Sequence, residues 1–380
     1  MPHLRHSGVI AVLLCLLCGG ALSQESPPYP DGPLEFLLNP VKDGFSVFSF
    51  GAEPETEIVF KKEPEYSGDT VYRNAIRLDR SMSDFIGLAC DMDAGTLYID
   101  RNRNLDLTDD GPGLKTNESY SPGYAQFINV HLEQVHDNVP VQYVLDVYVF
   151  SDYCYSLVRS GWMGDIEIAG IPCTLGIADN LDGALGDGDE FRFDHERNWE
   201  ARLSCGKEDT LRLPKWLWFE GQLYCVENDF RSMDGYTALA VALTPVNENV
   251  MDIAFEGSFV SRIMLTNEGR EFVLLDWPQA AMRIPAGSYT LQRIDLLDSF
   301  SGYPRNEREI TAQNNVLKTG GPVKQTLSAS RDGVSLNLNY ALQGVDQTNY
   351  SPDALNRNAG ARFAIYQGER RVRTGQFEYG

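Results

Sequence analysis

The chain has 380 residues, with 54 acidic against 32 basic side chains and a formal net charge of −22. So large an acid excess excludes the electrostatic footprint of a nucleic-acid binder or of a protein held on anionic lipid. No Gly-x-Ser-x-Gly, His-Glu-x-x-His or phosphate-cradling Gly-rich Lys-Ser/Thr loop occurs, and the expectation is a non-catalytic protein.

Residues 1–23 open with Arg5, run apolar from Val9 to Cys18 and end in small residues from Gly19 to Ser23, the layout of a secretory signal peptide. The apolar run is shorter than the roughly 20 residues a membrane span needs. Cys15 and Cys18 each follow leucine, where lipid attachment wants a small residue. The expected location is secreted, or periplasmic or cell-envelope, with no membrane insertion after signal cleavage. Residues 24–33 form a Pro-rich leader that reads as a tether.

Beyond it, short apolar runs rich in β-branched and aromatic residues alternate with Gly, Pro, Asn and Asp. They include Phe45–Phe50, Glu57–Phe60, Gly87–Cys90, Thr96–Ile99, Phe127–Leu132, Val141–Phe150, Leu223–Val226 and Ala238–Leu243. The rhythm predicts a mainly β chain: two antiparallel β-sandwich-like domains with long Asp/Asn-rich loops and little helix. The polar segment Thr244–Asn249 places a boundary between residues 34–248 and 249–380. In the second part, Arg262–Leu265, Glu271–Leu275, Thr290–Leu297, Val323–Ala329, Val334–Leu342, Arg362–Tyr366 and Val372–Tyr379 read as strands, and Ser351–Asn356 as a brief helix.

The stretch from Asp100 to Gly111 carries oxygen side chains at alternate positions: Asp100, Asn102, Asn104 and Asp106. Calcium takes six to eight oxygens, which a wound loop with one at every second residue directs inward. The stretch resembles the calcium loops of EF-hand and dockerin-type proteins, which implies Asp100, Asn102 and Asn104 at the first, third and fifth places and Asp106 at the seventh. It departs from them in Leu105, where glycine makes the turn, and Gly111, where an acid closes the loop; Asp109 or Asp110 would close it instead. Without metal, the same residues make an Asx-rich turn.

A second cluster, Ala178–Glu190, aligned on Gly183, puts Asn180, Asp182, Asp187 and Asp189 at ligand places. That alignment leaves Ala178 in the first place, so Asp179 shifts register or the ligand is missing. Trp216, Trp218, Phe219 and Tyr224 read as hairpin core, with a carbohydrate platform as the alternative. His131 and His136, five apart on a strand, face opposite sides. His195, between Asp194 and Glu196, is expected at the surface with a raised pKa. Five cysteines lie beyond residue 23, and their number and spacing allow one or two disulfides.

Pro285–Tyr289 is similar to a turn of transthyretin-like and carboxypeptidase-regulatory-like modules. With the Asp100–Asp110 loop and Phe377–Gly380, it gives the chain a resemblance to uncharacterised exported proteins of environmental bacteria that join a calcium-loop β domain to an immunoglobulin-like or transthyretin-like module. That resemblance carries no activity. The partner expected is an unknown protein or glycan, with a carbohydrate-binding or carbohydrate-active protein using surface aromatics and carboxylates as the alternative.

Overall fold

Strand Tyr124–His136 shows how the sheets are built. It turns Val130, Leu132 and Gln134 inward and His131, Glu133 and Val135 outward. It returns antiparallel as Val139–Phe150 through Asp137 and Asn138, whose φ of 48° and 68° are what a two-residue type I′ hairpin demands. A bulge between Phe127 and Val130, with Asn129 at φ 57°, shifts the register.

In this computed structural model the structure describes residues 32–50, 58–78, 84–116, 123–151, 153–182, 185–186, 188–195, 211–297, 300–304, 309–333, 335–352 and 361–377. Residues 1–31, which hold the stretch read as a signal peptide and most of the Pro-rich segment, lie outside them. Among the described residues the chain is all β, with several sheets and no helix.

The longest sheet runs from Leu211–Arg212 through Glu190–His195, Ile171–Ala178, Gly161–Ile168, Leu34–Val41, Thr237–Pro245, Gln222–Ser232 and Trp216–Phe219, then on through Phe272–Asp276, Val260–Asn267 and Tyr289–Leu296 to Lys324–Asp332. Its two halves join where Trp216–Phe219 pairs parallel with Phe272–Asp276. Val47–Phe50, Cys154–Val158, Val139–Phe150 and Tyr124–His136 make one four-stranded sheet. Val71–Arg77, Phe85–Asp91, Thr96–Ile99 and Leu114–Lys115 make another.

Sheets pack face to face because each buries one row of apolar side chains. Tyr143 of a four-stranded sheet meets Trp162 of the long sheet edge-on at 6.1 Å, and Trp162 meets Phe230 at 5.0 Å. The hairpin Trp216–Ser232 feeds two cores at once: Leu217, Phe219 and Tyr224 join the larger cluster, whereas Trp218 and Leu223 join Ile263, Leu275 and Ile294. The aromatic knot is therefore core, and the carbohydrate platform considered at Trp216 and Trp218 is not there. Gly161 lets the Phe45 ring lie on the sheet: a Cβ there would stand 2.5 Å from Phe45.

Three expectations are corrected. Ile58–Phe60 forms no strand, because Ile58 and Phe60 instead pack under the following loop with Leu107. Ser351 and Pro352 belong to strand Asn349–Pro352, whose buried Tyr350 pairs with Gly302, rather than opening a helix; residues 353–356 lie outside the described residues. Cys90, Cys154, Cys173 and Cys225 are free thiols on separate strands, so the disulfides considered do not form among them; Cys205 is outside the described residues.

Candidate metal-binding loops

Asp100 directly follows strand Thr96–Ile99, and its N–H donates to the Gly87 carbonyl at 2.9 Å. Its carboxylate is buried and organises the loop: Asn104 N–H donates to Oδ1 and Leu105 N–H to Oδ2, each at 3.0 Å. Asn102 Oδ1 also accepts from Asn104 N–H at 3.1 Å, and Asn104 Oδ1 from Asp106 N–H at 2.6 Å. The sharp turn falls on Leu105 as the alignment requires, at φ 66° although it is not glycine; Arg103 stands at φ 59°. Left-handed backbone at non-glycine residues is uncommon and persists only where surroundings fix it. Here Lys61 N–H donates to the Leu105 carbonyl at 2.8 Å, Leu107 N–H donates to the Lys62 carbonyl at 3.0 Å, and Leu107 is buried beside Ile58, Phe60, Ala75 and Ala89.

The closing acids fold back over the asparagines. Asp109 accepts from Nδ2 of Asn102 at 3.2 Å and of Asn104 at 2.8 Å, and Asp110 Oδ1 accepts from Asn102 N–H at 3.2 Å. Asp110 Oδ2 is enclosed with no hydrogen-bond partner. Burial and the charges of Asp100 and Asp109 push the Asp110 carboxyl up. A void of about 10 Å³, room for a single water or small ion, touches Asp110, Arg101 and Leu107. Asp106 points its carboxylate away, to the Thr108 amide and hydroxyl and towards Lys62 at 3.8 Å; the Thr108 contacts hold it below the usual carboxylate range.

In the second loop Asp179 follows strand Ile171–Ala178 as Asp100 follows its strand, which makes it the counterpart of Asp100 and the candidate for the first place. Aligning the two loops on their strand ends rather than on Gly183 would have found it. Asp179 and Asp189 are both buried. Asp179 Oδ1 accepts from Leu181 N–H at 2.6 Å, and Leu181 is at φ 68°. Its Oδ2 accepts from the Tyr143 hydroxyl at 2.6 Å, which lies 3.0 Å from His136 Nε2. Asp189 accepts from Asn180 N–H at 2.8 Å and Gly186 N–H at 2.5 Å, and Asn180 Oδ1 accepts from Asp182 N–H at 2.8 Å. Gly188, at φ 114°, is packed on Asn180: a Cβ there would stand 2.1 Å from Nδ2. Asp187 and Gly183 lie outside the described residues. Among the described residues, no group of three or more His, Cys, Asp or Glu side chains is arranged to hold a metal ion. An ion would therefore draw on asparagine and backbone oxygens as well.

Burial raises the Asp179 carboxyl and, with the charge of Asp179, raises that of Asp189 well above the ordinary range. Acids with raised folded pKa values contribute stability below the unfolded pKa and lose it as pH rises through the folded one. Glu63, Asp91 and Asp106 have lowered values, so their loss falls at lower pH, below the ordinary carboxylate range. Without calcium, the melting temperature is accordingly expected to fall as pH rises above the ordinary carboxylate range. Saturating calcium is expected to flatten that slope; a flat profile in chelator would contradict the assignment.

The three histidines among the described residues are of two kinds. His131 faces out and His136 in, as the spacing predicts. His195 is not at the surface: alternation with Phe191 and Phe193 turns it inward, where Nε2 lies 2.6 Å from the buried Asp276 Oδ2, which also places it beside Arg262, whose Nε donates to Asp276 Oδ1 at 2.9 Å.

Comparisons of the chain with protein-family models, with curated proteins and with solved structures found no match.

Proposed function

We propose that the protein is an exported, non-catalytic binding or cell-envelope protein whose loops at 100–110 and 179–190 are stabilised by calcium. The observation that carries the reading is the enclosed, unpartnered Oδ2 of Asp110 in a loop whose carboxylates of Asp100 and Asp109 lie close enough to raise it. Buried carboxylates without a cation are costly, and a hard divalent ion that prefers oxygen removes the repulsion. Asp100, Asn102, Asn104, Asp109 and Asp110 would hold one ion, with Asp106 through its carbonyl. Asp179, Asn180, Asp182 and Asp189, with Asp187, would hold the other.

Melting with calcium and with chelator tests this. Ligand at a hundredfold over Kd adds about 2.7 kcal/mol, which in a chain of this size is a rise of several degrees. Identical melting temperatures with and without a chelator would sink the proposal.

A second reading, a carbohydrate-binding face, has support in an aromatic row elsewhere than the Trp knot. On the outer face of the sheet containing Val139–Phe150, Tyr148 stacks on Tyr155 at 4.6 Å and Phe150 on Tyr153 at 4.4 Å, with Phe48 and Tyr124 beside them. Phe48 and Tyr153 are exposed, and Gln126 Nε2 donates to the Tyr148 hydroxyl at 3.1 Å. Ring faces with amide and hydroxyl groups at their edge suit sugar rings. A glycan array probed with the parent protein and with Tyr153→Ala decides this reading: signal lost in the variant supports it, and no signal from the parent removes it.

A further inference from the structure

Three adjacent strands of the long sheet, Leu34–Val41, Thr237–Pro245 and Gln222–Ser232, form a trough on its open face. The register places Glu35 and Glu227 on either side of Ala242, and Leu37 and Asp229 on either side of Ala240. Arg231 follows, beside Ala238. The central strand offers only methyl groups while both neighbours carry long side chains, so the face is concave there. The cavity measures about 270 Å³. Glu35, Leu37, Glu227, Asp229 and Arg231 are all exposed, and the four charged groups make no ion pair or hydrogen bond with one another or with other described residues.

Three carboxylates against one guanidinium leave two negative charges over an apolar floor, the complement of a dication with an aliphatic body. We propose that this trough binds a small linear diamine. One ammonium sits between Glu35 and Glu227 above Ala242. The methylene chain crosses the alanine methyls beside Leu37. The second ammonium meets Asp229, two residues along and so about 6.8 Å away, the reach of a four-carbon chain. Arg231 repels anything cationic that extends further. Each exposed ion pair alone is weak and is screened by salt, so recognition needs both ends and the floor together.

The test is a calorimetric titration of the full chain with putrescine at low ionic strength, with calcium kept saturating so that the acidic loops are occupied. Saturable binding of one equivalent is expected. It should weaken roughly tenfold or more, a change of about 1.4 kcal/mol, in the E35Q/E227Q double variant and also in Ala242→Leu, which fills the trough and leaves every charge in place. Asp252→Asn, an acid on another sheet, should bind as the parent does. Butylamine and N-acetyl-lysine amide, each presenting one alkylammonium, should bind several-fold more weakly. Absence of saturation, or an Ala242→Leu variant that titrates like the parent, would overturn the proposal by reducing it to diffuse attraction for an acidic protein. The melting temperature of each variant separates a lost site from a lost fold.

Discussion

Asp276→Ala is expected to destabilise the protein by about 3–5 kcal/mol, because it strands a buried cation. Asp276 is fully enclosed, accepts from Arg262 Nε at 2.9 Å and lies 2.6 Å from His195 Nε2. Arg262 also donates to the Phe193 carbonyl and stands 3.8 Å from Asp194. Burial opposes the Arg262 charge, yet Asp276, Asp194 and Asp295 outweigh it and lift its pKa above the ordinary arginine value. The group therefore stays charged in the variant, with its best partner gone. The cluster links Glu190–His195 to Val260–Asn267 and Phe272–Asp276, strands far apart along the sheet, so its loss loosens tertiary packing rather than one hairpin. Urea unfolding of the parent and of Asp276→Ala measures the difference, and a loss below about 1 kcal/mol, the value of a surface pair, would contradict the account.

Asp100→Ala is the second large effect. The carboxylate satisfies two backbone donors, Asn104 N–H and Leu105 N–H, and an unsatisfied buried donor costs about 1–3 kcal/mol. The loop is partly exposed, so water recovers some of this, and the expected loss in chelator is about 2–3 kcal/mol. The left-handed residues Arg103 and Leu105 then lose the anchor that holds them. In calcium the gap to the parent should widen, since the variant also forfeits the stabilisation by bound ion at this loop. A gap that is the same with and without calcium would make Asp100 a turn-former and nothing more.

Much of the fold was legible because alternation and turn chemistry act locally. Thr96–Ile99 ends where its apolar run ends, and Asp137–Asn138 marks its hairpin. Strands Gly161–Ile168 and Ile171–Ala178 were not read, since Gly161, Gly164, Pro172 and Gly176 dilute their pattern; the need for glycine at 161 arises from Phe45, distant in sequence. The candidate loops divide in the same way. Oxygen spacing at 100–106 is a local signal, and so is the turn position that Leu105 fills. The burial of Asp179 depends on Tyr143, and that of His195 on Asp276, both contacts across the sheets. The aromatic row combines Tyr124, Tyr148 and Phe150 with Phe48, Tyr153 and Tyr155, brought side by side only by strand pairing.

Calorimetric titration of the metal-free protein with calcium is the most direct test of the central claim. The account predicts saturable binding of two ions at or below millimolar concentration, with one site lost in Asp100→Ala and the other in Asp189→Ala. No heat of binding at millimolar calcium, or heat that both variants retain in full, would contradict it.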